Sequence, residues 1–232
     1  MKEGTMAITL GAYSFGESVC SVQESVKEAG GRDGRRLVLK GVLEGLPSLA
    51  AIEAQLDAIA AAASESAEVE LRLRPGRVLM VKRTGFVRQV FRDALTASFE
   101  LTLEAPLAME QAEEESIHEA VLEHAGPPME IVAGGNTIAL PVISLTPDLE
   151  LVRPSVSMAG RTLLYDGVVI PGEVLIIDAV AGVVTVDGED VTPYTEGDMP
   201  VLEPGMNELF FADESYPHPE VDAVLRFRAR WW

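Results

Sequence analysis

With one cysteine, Cys20, in 232 residues, the chain has no internal disulfide framework and no zinc-type cysteine cluster, so synthesis in a reducing compartment is expected. Histidine is nearly as scarce. His118, His124 and His218 lie scattered along the chain and read as exposed polar residues, not as metal ligands. Positive charge is also short: 18 Lys and Arg stand against 37 Asp and Glu, and the resulting formal charge of −19 argues against sequence-specific nucleic-acid binding, because such a surface repels phosphate backbones. Apolar runs are brief. The stretch from Leu49 to Ala63 is broken by Glu53 and Asp57 and falls short of the roughly 20 residues of a membrane-spanning helix. The opening MKEGTMAITLGAY lacks the apolar core of about 7–15 residues that a secretory signal needs. No GxSxG elbow, Walker loop, CxxC pair or HExxH occurs. No nucleophile, tuned base and oxyanion donor set can be nominated, so no catalytic, cofactor-binding or metal-binding residue is expected, and an enzyme is the least supported class.

What the chain does have is core-forming material in β-strand grammar. A hydrophobic content of 47% over this length supports two domains, each with a core of its own. The last sixty residues carry the clearest pattern: GEVLIIDAVAGVVTV from Gly172 to Val186, then DGEDVTPYTEGDMPVLEPGMNELFF, then AVLRFRARWW. Short β-branched and apolar runs alternate with Gly, Asp, Asn and Pro turns from about Ala125 onward, which predicts an antiparallel β-sandwich.

The first hundred residues predict six or seven strands and one helix. Ala7 to Tyr13 and Val19 to Lys27 read as strands, Gly30 to Gly34 (GGRDG) as a flexible loop, and Arg35 to Leu43 as a further strand. Ser48 then opens a helix running to Ala63, with Leu49, Ile52, Leu56, Ile59 and Ala60 on one stripe that should lie on a sheet. Val69 to Arg74, the Pro75–Gly76 turn and Arg77 to Arg83 form a hairpin; Phe86 to Phe91 continues as strand after Thr84 and Gly85. In the next strand Leu95, Ala97, Phe99, Leu101 and Leu103 alternate inward. Residues 105–124 scan as an acidic helix or as a strand, and strand is preferred because all that follows is β. The boundary is expected near Pro106, giving domains 1–106, with helix 48–63, and 107–232.

The charged and aromatic clusters admit functional and structural readings. Asp187, Glu189 and Asp190 in VDGED, with Asp166 in YDG, could pair as catalytic carboxylates or hold calcium, but the Asp-Gly spacing is that of hairpin turns. Gly134, Gly135 and Asn136 precede a strand and read as a β-turn, not a phosphate loop. Trp231, Trp232, Tyr194 and Tyr216 could stack on sugars. The structural reading, in which Phe227, Trp231 and Trp232 finish the core or anchor a subunit contact, is preferred. Basic residues concentrate in Arg32 to Lys40 and Arg72 to Arg92, acidic ones in Glu110 to Glu123 and after Asp178. That asymmetry suits either head-to-tail docking of subunits or a solvated face.

Several of these segments together resemble the distal tail proteins of long-tailed (siphovirus-type) phages and related tail-like particles. They are PGEVLIIDAVAGVVTVDGEDV, GDMPVLEPGMNEL with its Leu-x-Pro-Gly-x-Asn turn, VLRFRARWW, IVAGGNTIALPVISL and, upstream, RLVLKGVLEGLPSLAAIEAQLDAIAAA. The resemblance implies a mainly β protein: an N-terminal β-barrel-like or sandwich-like ring-forming domain with one packed helix, and a C-terminal galectin-like antiparallel β-sandwich. It further implies a homohexameric ring at the virion tail tip, made in the host cytoplasm, that joins the tail-tube protein to the baseplate hub protein and lets DNA pass through its lumen. Candidate subunit-interface residues are Arg35, Arg36, Val69 and Arg83; candidate sugar or partner contacts are Tyr216, Trp231 and Trp232. Two alternatives are a carbohydrate-binding module for host attachment and a tail-tube or hub subunit proper.

Overall fold

The computed structural model describes residues 8–16, 18–29 and 32–232. The chain divides into two compact units, Met1–Glu113 and Glu114–Trp232.

In the first unit an antiparallel sheet runs in the order Tyr13–Ser14, Thr9–Leu10, Val69–Arg74, Arg77–Phe91, Thr96–Ala105, Arg32–Leu43, Val19–Ala29. The expected single strand Ala7 to Tyr13 is instead two short strands, because Gly11 takes a φ of 55° and reverses the chain; Ala7 itself lies outside the described residues. The expected GGRDG loop is also corrected: Arg32, Asp33 and Gly34 continue the strand and pair with Ala29, Glu28 and Lys27, while Gly30 and Gly31 lie outside the described residues. Cross-strand pairing over this length outweighs the local flexibility of glycine.

Arg77–Phe91 holds the sheet together by changing partner. Its first half pairs with Val69–Arg74 and its second half with Thr96–Ala105, and the register shifts between Arg83 and Gly85, where a bulge bends the strand. The helix Leu49–Ala62 is capped by Ser48, whose Oγ accepts from the Ala51 amide at 3.2 Å. Its buried stripe, Ile52, Leu56 and Ile59, joins Leu37, Leu39, Leu71, Leu79, Phe99, Leu101 and Leu103 in one core. Leu95 departs from the inward alternation: it sits exposed in the turn before the strand, at φ 48°.

In the second unit two large sheets, with the short pair Leu151–Val152 and Val168–Val169, share one core. One has the order Met129–Ala133, Gly205–Ala212, Ser155–Met158, Arg161–Tyr165, Thr195–Gly197. The other has the order Glu189–Asp190, Val183–Val186, Leu175–Asp178, Val142–Pro147, Val221–Phe227, Ser116–Leu122. Alternate residues from both, among them Ile131, Leu209 and Phe211 against Ile143, Leu145 and Leu225, fill the interior of an antiparallel sandwich. The region 105–124 is strand, in two pieces, Glu110–Ala112 and Ser116–Leu122.

The turns that punctuate this unit use the residues their geometry requires. Asp178 Oδ1 accepts from the amides of Val180 and Ala181, both at 2.9 Å, and so ends the Leu175–Asp178 strand. Asp187 and Gly188, at φ 49° and 83°, make the next reversal. Asn207 is buried and closes the Leu-x-Pro-Gly-x-Asn turn: its Oδ1 accepts from the Glu203 amide at 2.9 Å, and its Nδ2 donates to the Glu203 and Gly205 carbonyls at 2.8 and 3.1 Å. Alanine at 207 removes the three hydrogen bonds that this buried side chain makes to the turn backbone, and the expected loss is about 1–3 kcal/mol, read as a lower urea midpoint at unchanged slope. A midpoint within error of the parent would show that water replaces the side chain.

Candidate interface and partner-contact residues

Three of the four candidate interface residues line one cleft of the first unit. The cleft, of about 460 Å³, is walled by Arg35, Arg36, Lys82 and Arg83 with Glu65 and Glu104. Register explains the convergence: Glu104 lies opposite Arg36 on one neighbouring strand and opposite Lys82 on the other. Val69 does not line this cleft; it is half-buried and pairs with Val81.

The cations differ in their engagements. Arg35 is buried, at 7% exposure, and is ion-paired with Glu24 and, at 3.4 Å, with Glu110. Arg83 donates to the Ala60 carbonyl in the last turn of the helix and to Glu65 Oε1 at 3.0 Å. It thereby complements the negative end of the helix dipole. Arg36 is exposed. Within the cleft, Arg35 and Arg83 therefore organise the unit itself, and Arg36 presents charge outward.

Glu110 went unnoticed in the sequence, where it opens an acidic block. Folded, it is 2% exposed and receives Arg35, Arg74 and, at 3.7 Å, Arg77.

In the second unit the candidate aromatic contacts separate. Tyr216 is 97% exposed, on the loop after Gly205–Ala212. Trp232 is 56% exposed and so lies outside the core, which leaves the contact reading for it; Phe227 is buried and Trp231 is half-buried. The Gly-Gly-Asn turn fixes the chain's last residues: Asn136 Oδ1 accepts from the Trp232 amide at 2.9 Å, and Thr137 Oγ1 from its indole Nε1 at 3.1 Å. Gly135 has a φ of 95°, and a Cβ there would meet the Arg230 carbonyl at 2.2 Å, so only glycine fits. The same unit exposes an apolar row that the sequence did not single out, with Val132 opposite Met206 and Phe210 further along that strand's outer face.

Two of the three carboxylates of VDGED serve their turns. Asp187 Oδ1 accepts from the Val174 amide at 3.0 Å, and Asp190 Oδ1 from the Thr192 amide at 2.9 Å. Hydrogen bonds from Thr192 hold the Asp190 carboxyl below its ordinary range.

The histidines are not all scattered in space. His124 and His218 stack with ring centroids 3.8 Å apart, and both point Nδ1 at the buried carboxylate of Asp213. Burial alone would push that carboxyl up, but hydrogen bonds from Ser215, His124 and His218 outweigh it and hold the carboxyl below the usual aspartate range. The third histidine, His118, stacks instead on Phe227 at 5.9 Å. A gap of 89 residues separates His124 from Asp213, so no local spacing could have announced the group.

Among solved structures, the chain is similar to the Dit protein (gp 19.1) of SPP1, described as a paradigm of the hub adsorption apparatus in phages that infect Gram-positive bacteria. The likeness covers 97% of this chain and 99% of that one, with a TM-score of 0.72 at 9% identity. The two chains share one fold. No protein-family model matches the chain, and no curated protein matches it in sequence. The mainly β architecture and the resemblance to distal tail proteins are thus met at the level of structure, where 9% identity leaves little else to compare. Among the described residues, no helix is long and apolar enough to cross a membrane.

Proposed function

We propose that the chain is a structural component of a phage tail tip: a ring-forming adaptor that joins the tail tube to the baseplate hub and lets DNA pass through its centre. The observation that carries this reading is the end-to-end likeness to a hub adsorption protein, which spans both units and not one common sandwich alone. Physical features agree with it. Val19–Ala29 is an eleven-residue edge strand that, among the described residues, pairs with one neighbour only. A long edge of that kind needs a partner or a block, and identical subunits in a closed ring supply the partner across each interface. A chain of net charge −19 does not retain DNA that slides past it. In this reading the protein is made in the host cytoplasm, assembles as a homohexamer and contacts the tail-tube and hub proteins. Arg36, exposed on the strand beside that edge strand, is the candidate interface cation. The role is structural, not catalytic.

Electron microscopy of the purified full-length protein over a range of concentrations tests this. Six-fold rings with a central hole wide enough for duplex DNA are expected; monomers at every concentration, with or without the neighbouring tail proteins, would overturn it. A second reading, attachment to host-surface sugars by the sandwich unit, is favoured by the exposure of Tyr216 and Trp232. It predicts glycan-array binding that disappears in Tyr216→Ala or Trp232→Ala.

A further inference from the structure

We propose that His124, Asp213 and His218 form a binding site for a divalent first-row transition-metal ion, with zinc the ion best suited to two imidazoles and one carboxylate. The inference stands apart from the ring reading and concerns only the second unit.

The site is assembled by the ends of two strands from different sheets. His124 follows Ser116–Leu122 in one sheet, Asp213 follows Gly205–Ala212 in the other, and His218 lies five residues further along the same loop. Three donor atoms, one from each residue, lie within 4.8 Å of one another. His124 Nδ1 is 2.9 Å and His218 Nδ1 3.1 Å from Asp213 Oδ1. Bonds of about 2.0–2.1 Å to one ion place neighbouring ligand atoms roughly 3 Å apart when they meet it near a right angle, and wider at a tetrahedral angle. The 2.9 and 3.1 Å spacings match ligands that meet a shared cation near a right angle.

Two further features favour a cation over a purely hydrogen-bonded cluster. First, the Asp213 carboxylate is buried and its other oxygen, Oδ2, accepts from the Ser215 amide at 2.9 Å, which orients Oδ1 toward the imidazoles as an outer-shell partner does in a metal site. Second, the Asp213 amide lies 3.2 Å from His124 Nδ1. That nitrogen therefore faces an N–H donor and a carboxylate oxygen together. A single tautomer cannot serve both: carrying a hydrogen, it opposes the amide; carrying a lone pair, it opposes the carboxylate. A cation between Nδ1 and Oδ1 removes the opposition of lone pair and carboxylate. Both histidines are partly exposed, which gives the ion a route in and leaves coordination positions for water or for a partner's side chain.

The consequence is mechanical. A bound ion ties the ends of both sheets together and pins the loop that carries the fully exposed Tyr216 two residues before His218.

The test uses the full-length protein, freed of metal with a chelator and titrated with zinc chloride by calorimetry and with cobalt(II) by visible absorption. The expected result is one zinc per chain at micromolar protein, a melting temperature raised by zinc, and cobalt bands in the visible. All three should vanish in His124→Ala and in His218→Gln, and all three should persist in His118→Ala, the third histidine. His218→Gln keeps the bulk of an exposed loop residue, so its metal-free melting temperature reports whether the fold is intact, and Asp213→Asn gives an independent isosteric check. Absence of stoichiometric binding in the parent protein, binding only at millimolar zinc, or binding that survives in the His124→Ala/His218→Gln double variant would each overturn the site.

Discussion

Alanine in place of Glu110 is expected to destabilise the first unit by about 2–3 kcal/mol and to lower its melting temperature by roughly 10 °C. The carboxylate is buried at the meeting point of four strands: Arg35 comes from Arg32–Leu43, Arg74 from the end of Val69–Arg74, Arg77 from the start of Arg77–Phe91, and Glu110 from its own short strand. Removing one partner of a buried ion pair costs about 3–5 kcal/mol, because the charge left behind stays desolvated. Arg74 and Arg77 are partly exposed and regain water, which reduces the loss; Arg35 is buried and, among the described residues, keeps only Glu24 as an anionic partner. The prediction separates desolvation from simple loss of contact. Glu110→Gln retains an acceptor and should lose less than alanine. The double variant Glu110→Leu/Arg35→Met removes both buried charges and should recover much of the stability. Thermal unfolding followed by circular dichroism measures all three, and a melting shift under about 2 °C for Glu110→Ala would show that the cluster is hydrated and energetically idle.

Glu110 also shows where the sequence was readable and where it was not. The hairpin Val69 to Arg83, the helix and the sandwich strands were legible because each depends on periodicity within a dozen residues or on a turn that needs Gly, Asp or Asn at one position. Asn207 and Asp178 are such cases: their side chains bond backbone two to four residues away, so the motif and its geometry are local. The errors arose where pairing overrode local preference, as in Arg32 to Gly34, whose glycine suggests a loop but whose neighbours extend the ladder. Leu95 erred in the opposite sense, since alternation continued in sequence past the residue where the strand stops.

Groups formed at long range left no trace in the pattern. Arg35 and Glu110 stand 75 residues apart, and an acidic block looks the same whether one member is buried or none is. The same holds for His124 and Asp213. Of the candidate interface residues, Arg35, Arg36 and Arg83 line one cleft, yet the sequence could not say that Arg35 and Arg83 engage partners within the unit.

Alanine at Gly41 is expected to cost about 3 kcal/mol, at the top of the overpacking range, and to act on the edge strand that the ring reading depends on. A Cβ built there would lie 2.1 Å from the Ser18 carbonyl oxygen and 2.3 Å from Cζ of Phe99, distances that no real contact sustains. Neither neighbour can withdraw freely. The Ser18 carbonyl accepts from the Val42 amide at 2.9 Å, and Phe99 is buried among Phe15, Leu101 and the helix stripe. Gly41 lies opposite Val19 on one side and Phe99 on the other, so the clash is felt where Val19–Ala29 joins the sheet. Two consequences distinguish this account from general destabilisation. Adding Phe99→Leu should recover only part of the loss, because it relieves the ring contact and leaves the carbonyl in place. Gly41→Ala should also reduce ring yield in electron micrographs more than Asn207→Ala, whose damage is confined to the other unit. A Gly41→Ala protein as stable as the parent would mean that the strands separate at Ser18 without cost, and rings formed at parental yield would remove that edge strand from the proposed subunit interface.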